Sequence, residues 1–485
     1  MKTKFGILGG ATFVMISCWV LPASAREGDT LWTRTYGRPY VDGSYSLIET
    51  SDGHYLIAGA TYLTGGTGSR MWLIKTDQEG DTVWTRMYGS WHDNWARSVI
   101  ETTDGCYLIT GEGTVSTNHD FWLFKTNTDG DTLWRRIFGN QSDYEGGRCV
   151  VETSDGGYLA GGTTDTYPWI IRTNTQGDTI WTFMADSYGS AYSVIETTDQ
   201  HYMLAGELDN SVILADMWLL CMNPDGESLW ERNYGGSNVD LAYSVIELSD
   251  GGYLVAGTTN SFGSGSVDVY AVRTDIDGDT VWTRTYGGTG SDGAHAATKT
   301  ADNCFLLAGY TGSYGGGLKD VWLLKINSHG DTLWTRTFGG SYNDGAEAVI
   351  QTSDGNYLVA GGTYSYGVGN GDIWLLCIEG PPTDAPPQAL RDAPGFVLQG
   401  SYPNPFNSTA TIWFTLPEPS WVTLKVFNML GRSIDRNYSI QSEKGWMTSG
   451  AHSIIFDGSG LPSGIYFYQI QTLNQGAIGK MLIVK

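Results

Sequence analysis

The sequence lacks the cysteine content of a disulfide scaffold. It has six cysteines in 485 residues, and one of them, Cys18, lies in the N-terminal apolar segment. The other five are Cys106, Cys149, Cys221, Cys304 and Cys377. An odd number argues against a complete set of disulfides. We therefore expect these five to be small, buried apolar side chains.

Basic residues are also scarce. The chain has 28 Lys and Arg against 52 Asp and Glu, which gives a net charge of −24. Residues 1–25 and the segment from Phe396 onward are each slightly basic, so the acidic excess lies between them. Such a surface repels nucleic acid and anionic lipid. We expect neither as a partner.

Apolar runs long enough to span a membrane are absent beyond the N-terminus. There, Lys2 and Lys4 precede an apolar run from Phe5 to Leu21, and Ala23-Ser24-Ala25 follows it. This layout predicts a cleavable secretory signal at residues 1–25. Lipid attachment at Cys18 is the alternative. No other stretch reaches the roughly 18 apolar residues of a membrane span, so we expect a secreted or outer-membrane cell-surface protein without one.

What the sequence does contain is a repeat of about fifty residues, a period typical of propeller blades and solenoid units. Its most constant motif is Gly-Asp-Thr-Leu-Trp, with copies that begin at Gly28, Gly80, Gly130, Gly177, Gly226, Gly278 and Gly330. Two further segments recur in phase with it, represented by Ser249–Gly257 (Ser-Asp-Gly-Gly-Tyr-Leu-Val-Ala-Gly) and Asp320–Leu324 (Asp-Val-Trp-Leu-Leu).

Each repeat predicts four short strands, because its aromatic and β-branched runs end at Gly/Asp turns and no amphipathic helix separates them. The Asp277-Gly278-Asp279 type of link predicts a tight hairpin in which Gly takes positive φ and an acidic side chain bonds its own backbone. We expect the repeated tryptophans to pack between neighbouring units.

The ends of the repeat region complement each other. It opens with a lone fourth strand at Asp29–Gly37, and its last unit stops after a third strand at Ile373–Ile378. In a ring these strands join one sheet and leave no open edge. We therefore predict an all-β fold in which residues 26–380 form a seven-bladed β-propeller closed by its N-terminal strand. The repeats resemble those of bacterial secreted propellers, a resemblance that specifies the fold and not an activity.

A second domain follows a Pro-rich linker at residues 381–395. Residues 396–485 show alternating strands and Gly/Pro turns, which predict a small Ig-like β-sandwich. Tyr402–Asn407, Leu424–Arg432, Gly460–Tyr468 and Lys480–Lys485 resemble the C-terminal sorting domain of type IX secretion substrates, related to the Ig-like domain of flagellar hook-capping proteins. The resemblance implies the type IX machinery as a partner, with the cargo released or anchored. A plain Ig-like spacer is the alternative.

Variable loops on one face of the predicted ring are where we expect a ligand. One unit carries Trp91, His92, Asp93 and Trp95 in one loop, and His119 and Asp120 end another. Tryptophan planes with His and Asp beside them suit a glycan or peptide. A metal held by the His and Asp residues, or incidental loop variation, are the alternatives.

Aspartates recur on the same predicted face. We expect them to cap turns and to hydrogen-bond between blades, with a cation or a basic partner as the alternative. The residues are Asp42, Asp93, Asp143, Asp240, Asp292 and Asp344.

Catalytic motifs are not evident. The seven histidines have no metal-ligand spacing, no Gly-x-Ser-x-Gly elbow precedes a helix, and the sequence assigns no catalytic residue, metal or cofactor. It favours a secreted, non-catalytic binding or structural module. An extracellular carbohydrate-active or other hydrolase that uses the variable loops is the alternative.

Overall fold

The structure is a computed structural model that describes residues 27–62, 68–90, 92–114, 118–139, 144–211, 214–381, 397–402, 409–416, 419–428, 434, 444–448, 450–472 and 476–485. Outside these residues lie the predicted signal peptide, Trp91, Asp143, nearly all of the predicted linker and residues 403–407 of the first sorting motif.

The chain divides into two compact units. The first comprises Met1–Thr300 and Cys304–Pro382, and the second comprises Ala301–Asn303 and Thr383–Lys485. The regular elements of the described residues are β-strands in both units. The prediction of an all-β fold is confirmed.

Strands of the first unit come in similar sets. The first half contains β1 Thr30–Tyr36, β2 Asp42–Glu49, β3 Tyr55–Tyr62, β4 Ser69–Thr76, β5 Thr82–Tyr88, β6 Asn94–Glu101, β7 Tyr107–Thr114, β8 His119–Thr126, β9 Thr132–Phe138, β10 Glu145–Glu152, β11 Tyr158–Thr164, β12 Tyr167–Thr173 and β13 Thr179–Met184. The second half contains β14 Tyr188–Glu196, β15 Tyr202–Ser211, β16 Leu214–Met222, β17 Ser228–Tyr234, β18 Asp240–Glu247, β19 Tyr253–Thr259, β20 Asp268–Thr274, β21 Thr280–Tyr286, β22 Asp292–Lys299, β23 Phe305–Thr311, β24 Asp320–Ile326, β25 Thr332–Phe338, β26 Asp344–Gln351, β27 Tyr357–Thr363 and β28 Asp372–Ile378.

These strands form seven four-stranded antiparallel sheets in the described part of the first unit. Six sheets consist of four consecutive strands, from β2–β5 to β22–β25. The seventh has the order β1-β28-β27-β26, and β1 pairs with β28 from Thr30↔Ile378 to Tyr36↔Ile373. Repeated four-stranded antiparallel sheets are consistent with a β-propeller.

The first strands of the sheets follow one another in cyclic order. Each of β2, β6, β10, β14, β18 and β22 contacts the next first strand in the chain, and β26 contacts β2. These seven strands therefore stand side by side around one common space.

The link between the third and fourth strands of a sheet is a turn closed by a side chain. In the first example, the carboxylate of Asp77 accepts hydrogen bonds from the backbone N–H groups of Glu79 (3.1 Å) and Asp81 (2.8 Å). Gly80 takes a φ of 79°, a conformation that favours glycine. The hairpin prediction is confirmed, and its Asp or Asn is the residue three before the glycine.

The tryptophans of the repeated motif pack between neighbouring sheets, as predicted. The ring of Trp84 on β5 lies 6.5 Å from that of Tyr107 on β7, measured between centroids. Its Nε1 donates to the carbonyl oxygen of Thr128 at 3.2 Å, in a turn of that next sheet. Large rings with a polar edge suit such half-buried interfaces.

A buried cation also links neighbouring sheets. Lys125 on β8 donates from Nζ to Asp104 Oδ2 at 2.6 Å and to the Tyr158 hydroxyl on β11 at 2.9 Å. Lys75 repeats both contacts with Asp52 and Tyr107. Because the lysine side chains are nearly fully buried, these hydrogen bonds satisfy a charge that would otherwise be costly to bury.

The five cysteines carry no disulfide in the described residues; four are buried and Cys106 is half-buried. Their burial agrees with the role expected from the sequence.

The second unit has its own core. Its strands are β29 Val397–Tyr402, β30 Thr409–Leu416, β31 Ser420–Asn428, β32 Lys444–Met447, β33 Gly450–Asp457, β34 Gly464–Gln471 and β35 Gly476–Ile483. The described strands form a three-stranded sheet, β29-β30-β33, and a four-stranded sheet, β32-β31-β34-β35. Phe414, Ile470 and Met481 are fully buried within one core that both sheets supply.

The cation network generates a stability prediction. Asp104→Asn leaves the buried Lys125 ammonium without its anion, so we expect the free energy of unfolding to fall. Breaking a fully buried pair costs roughly 3–5 kcal/mol. The loss here should be smaller than that, because Asp104 is partly exposed. Lys125→Met removes the buried charge itself, so its loss should be smaller. Denaturant unfolding at neutral pH measures both.

Asp81→Asn is the matched control, because Asp81 pairs with Arg34 on the surface at 3.2 Å. Its expected cost is under about 1 kcal/mol. Lys125 also holds the pKa of Asp104 down to about 2, with the Thr102 hydroxyl assisting and burial opposing the shift. The stabilisation is therefore present above the unfolded pKa and is lost as the pH falls toward about 2. Equal losses for Asp104→Asn and the control would contradict this account.

Candidate functional site

Every sheet of the first unit carries a bulge at the same place between its first and second strands. β2 pairs with β3 at Ser44↔Gly59 and then at Ser46↔Ala58, so Tyr45 is skipped. Such a bulge turns one side chain away from the regular alternation of a strand. The skipped residues of the seven first strands are Tyr45, Arg97, Arg148, Tyr192, Tyr243, His295 and Glu347.

These seven side chains line one cavity of about 520 Å³, which we call the central cavity. All seven are half-buried, so they face a space rather than a packed core. Its volume lies within the roughly 300–1,000 Å³ of typical ligand sites. The bulges therefore build a polar and aromatic wall from one residue per repeat.

The sequence analysis missed this wall, although the sequence carries a signal for it. The flanking positions are uniform, with Gly, Ala or Ser before the bulged residue and Ser, Cys or Ala after it. The bulged residue changes between Tyr, Arg, His and Glu. A position that varies in charge between near-invariant neighbours marks a break in the repeat symmetry.

One side of the cavity holds two arginines around a buried carboxylate. Glu112 on β7 is fully buried, and its Oε1 accepts from Arg97 Nε at 2.9 Å and from Arg148 Nη1 at 2.8 Å. The hydroxyl of Tyr144 donates to the other oxygen, Oε2. Burial opposes ionisation of Glu112, but the two guanidinium groups outweigh it and lower its pKa.

The arginines keep a surplus of donors and of charge. Arg148 Nε is buried and has no hydrogen-bond partner among the described residues. The guanidinium of Arg97 lies 4.2 Å from the ring centroid of Tyr45, a cation–π contact. Two cations against one carboxylate leave this side positive and able to accept an anionic group.

The opposite side holds a histidine paired with a glutamate. His295 Nδ1 lies 2.9 Å from Glu347 Oε2, and the imidazole lies between Tyr243 (5.0 Å) and Tyr310 (5.4 Å) by ring centroids. Burial lowers the pKa of His295, but the charge of Glu347 and its hydrogen bond exceed that effect, so the pKa is raised.

A further tyrosine completes this side. The Tyr192 hydroxyl donates to Glu207 Oε1 at 2.7 Å, and its ring lies 5.1 Å from that of Tyr243. Burial is the main reason why the pKa of Tyr192 is raised. The phenol is therefore neutral near pH 7 and presents a ring face with a fixed polar edge.

The structure places the predicted loop residues beside this cavity. The Trp95 ring is half-buried rather than exposed and stacks on the imidazole of His119 at 5.2 Å. His119 in turn lies 5.0 Å from the ring of Tyr144. Trp95 also lies 5.4 Å from the Arg97 guanidinium. These two residues thus back the arginine side of the central cavity.

The other predicted loop residues are more dispersed. His92 is exposed, and its carbonyl oxygen accepts from the Asn94 side chain. The Asp93 carbonyl oxygen accepts from the Thr114 hydroxyl at 3.1 Å. Asp120 is half-buried, close to the start of the next sheet. Trp91 lies outside the described residues, so the ligand site on this loop stays a prediction.

The recurrent aspartates hydrogen-bond as expected at Asp292 and Asp344, whereas Asn94 and not Asp93 holds the equivalent position at the start of β6. Asp344 is buried, and its Oδ2 accepts from the Gly340 N–H at 2.9 Å and from the Ser365 hydroxyl at 2.6 Å. Asp292 makes the equivalent bonds to Gly288 and Ser313. Turn capping is therefore confirmed for these two.

Neither a metal-binding cluster nor a membrane-spanning helix is found among the described residues. They contain no group of three or more His, Cys, Asp or Glu side chains placed to hold a metal ion. They also contain no helix of the length and hydropathy that a membrane crossing requires.

Comparison with known proteins identifies the end of the chain. The family model described as "Secretion system C-terminal sorting domain" matches residues 401–485. The predicted C-terminal type IX sorting domain is confirmed. No curated protein matches the chain.

Several solved structures are similar in fold, at low identity. A Bacteroides caccae protein of unknown function has a TM-score of 0.38 and 14% identity, covering 59% of this chain and 93% of its own. A fungal alcohol oxidase of the AA5 family, solved with copper, has a TM-score of 0.48 and 11% identity, covering 95% and 100%. A GH43 β-xylosidase/α-arabinofuranosidase from a compost metagenome has a TM-score of 0.32 and 11% identity, covering 53% and 97%.

The sorting domain decides the location of the protein. This chain is secreted or attached to the outer-membrane surface, as predicted. The fold similarities carry no activity with them.

The His295–Glu347 pair generates a titration prediction. Glu347→Gln removes the charge that raises the pKa of His295, so burial should then dominate and bring the pKa below its ordinary value. An NMR titration of the imidazole protons measures the change. Glu101→Gln, at a half-buried carboxylate on β6 that does not line the central cavity, is the control and should leave His295 unaltered.

The ion pair also links stability to pH. Because the pKa of His295 is raised in the folded state, the pair stabilises the fold fully below the unfolded pKa of histidine, and that stabilisation is lost as the pH rises through the folded value. An unshifted His295 titration in Glu347→Gln would show that Glu347 does not set its protonation.

Proposed function

We propose that this secreted protein is a non-catalytic binding module whose ligand occupies the central cavity. In this proposal residues 26–380 form a seven-bladed β-propeller of the secreted bacterial repeat type, closed by β1. Residues 396–485 form an Ig-like sandwich, related to that of hook-capping proteins, which the type IX machinery recognises. Residues 1–25 are the signal peptide, and residues 381–395 are the linker.

The bulged residues are the observation that carries the proposal. A scaffold that served only its own stability would repeat the same residue at the cavity wall, as it repeats Trp and Asp at its sheet interfaces. Instead the wall places two arginines on one side and a His–Glu pair on the other, with tyrosines between them. Convergent polar groups inside an otherwise uniform repeat are what a binding site requires.

The charges of the wall favour an anionic ligand with a ring to stack. Arg148 offers a buried Nε–H without a partner, and a carboxylate is the group that matches a guanidinium fork. Tyr192 and Tyr243 offer ring faces and Glu347 an acceptor, which suit the apolar faces and hydroxyls of a sugar. We therefore propose a carboxylated saccharide, one or two rings long, as the ligand.

Catalysis is disfavoured by the state of the carboxylates. Hydrolysis of a glycosidic bond uses two carboxyl groups, one of which must hold a proton. The pKa of Glu112 is lowered and its oxygens are bonded to Arg97, Arg148 and Tyr144. Glu347 is bonded to His295. Neither is arranged as a general acid.

The loop residues predicted from the sequence have a secondary role in this proposal. They are Trp91, His92, Asp93, Trp95, His119 and Asp120. Trp95 and His119 stack behind Arg97 and Tyr144 and so hold the arginine side in place. Glycan or protein contacts at the remaining loop residues would extend the cavity to the surface.

Calorimetric titration of the full chain tests the ligand. We expect glucuronate, galacturonate or their disaccharides to bind, and glucose and galactose to bind more weakly, because only the acids engage the arginines. Arg148→Met should weaken binding by about 10- to 100-fold, since a charge-assisted hydrogen bond contributes roughly 1.5–3 kcal/mol. Arg232→Met, on the surface of β17, is the control and should bind as the parent does.

Chromatography of the same mixtures separates the two classes of function. Binding without new products supports the binding module. Appearance of shorter saccharides would establish the hydrolase alternative instead. Thermal melting without ligand confirms that Arg148→Met is folded, and equal affinity for acidic and neutral sugars would overturn the role of the arginines.

A further inference from the structure

Acidic side chains meet where neighbouring sheets of the first unit adjoin. One comes from the third strand of a sheet, and the other begins the first strand of the next sheet. We call these the acid pairs: Asp372/Asp42, Asp216/Asp240 and Asp320/Asp344.

A glycine holds the space between the two carboxylates. A Cβ built on Gly339 would overlap Asp320 Oδ1 and would lie 2.9 Å from Asp344 Oδ2. A Cβ on Gly235 would likewise overlap Asp216 Oδ1 and lie 2.6 Å from Asp240 Oδ2. Both carboxylates therefore lie against the same glycine, and no larger residue fits at that position.

One oxygen in each pair has no protein partner. Asp320 is 2% exposed; its Oδ2 accepts from the Gly316 N–H at 2.8 Å, while its Oδ1 is buried and accepts nothing in the described residues. The same is true of Oδ1 in Asp240 and Asp372. Buried polar atoms are nearly always satisfied, so these oxygens point to a missing partner.

Two buried carboxylates that lie beside each other repel, so their charges require compensation. Burial is the largest cause that raises the pKa of Asp42, to about 6, and the charge of Asp372 adds to it. Burial and the charge of Asp240 raise the pKa of Asp216 in the same way. A cation between the two carboxylates, or a proton that they share, would relieve the repulsion.

The chain itself shows what replaces an acid pair. At the junction between the first two complete sheets, Arg70 occupies the register position of Asp320, opposite Thr61 as Asp320 is opposite Thr311. Asn94 begins the next sheet there, in place of Asp344. Both acids are absent there, and a cationic side chain and a neutral amide stand in their positions. Positive charge at this junction is consistent with a cation between the carboxylates of the acid pairs.

We propose that Ca²⁺ binds between the two carboxylates of each acid pair and joins one sheet to the next. The pair supplies two carboxylates, and Ca²⁺ takes its other oxygens from main-chain carbonyls, hydroxyls and water. A secreted protein meets this ion at the high concentrations that suit weak extracellular sites, with dissociation constants of about 10⁻⁴–10⁻³ M. The aspartates cap turns and bind the ion with different oxygens.

Equilibrium dialysis of the metal-free full chain against Ca²⁺, together with thermal melting, tests the proposal. We expect Ca²⁺ to bind and to raise the melting temperature. Asp320→Asn keeps the shape and removes one charge, so it should bind one ion fewer per chain. Asp277→Asn, in an exposed turn, is the matched control and should bind as many ions as the parent.

Anomalous diffraction from parent crystals grown with Ca²⁺ keeps the test independent of any variant's folding, since density between Asp320 and Asp344 is expected. Absence of bound Ca²⁺, or an unchanged number of ions in Asp320→Asn, would overturn the proposal. The proposal would also be overturned if the melting temperature did not change with Ca²⁺ but increased as the pH fell from about 7 to about 5, because a shared proton would then satisfy the pair.

Discussion

Backbone pairing between β1 and β28 is the constraint on which the first unit depends. It places the start of the described chain in the same sheet as β26–β28. With that sheet in position, β26 stands beside β2, and Glu347 and Tyr45 line one cavity although they are 302 positions apart in the numbering. The wall of the central cavity would be incomplete without this junction.

Uniformity and variation have separate places in the repeat. The turns, the half-buried Trp–Tyr contacts and the buried Lys–Asp–Tyr contacts recur because each satisfies the same interface between two sheets. The bulged position is not fixed by those contacts, since its side chain leaves the regular alternation of the strand and lines the central cavity. The residue type therefore varies at the bulged position, where a substitution affects the stability of the scaffold least.

Most of the scaffold could be predicted from the sequence, because its signals are local. Gly80 and Asp77 define a turn within four residues, and Trp84 marks its strand through a repeated motif. The cavity wall could not be predicted in the same way. Whether Arg97 alternates inward or outward depends on a bulge, and its distance from Arg148 depends on how sheets adjoin. His119 covers Trp95 in the same way, through a contact between residues on different strands that the local sequence does not reveal.

The pairing of β1 with β28 also has a consequence for the time course of maturation. Hydrogen bonds such as Thr30↔Ile378 join residues separated by nearly the whole of the first unit, and loops of this length close slowly because their entropy is lost before contacts form. During synthesis β1 is made before β28, so its edge stays unpaired until β28 has been made. The sheet that contains β1 therefore closes only after the final repeat of the first unit has been synthesised.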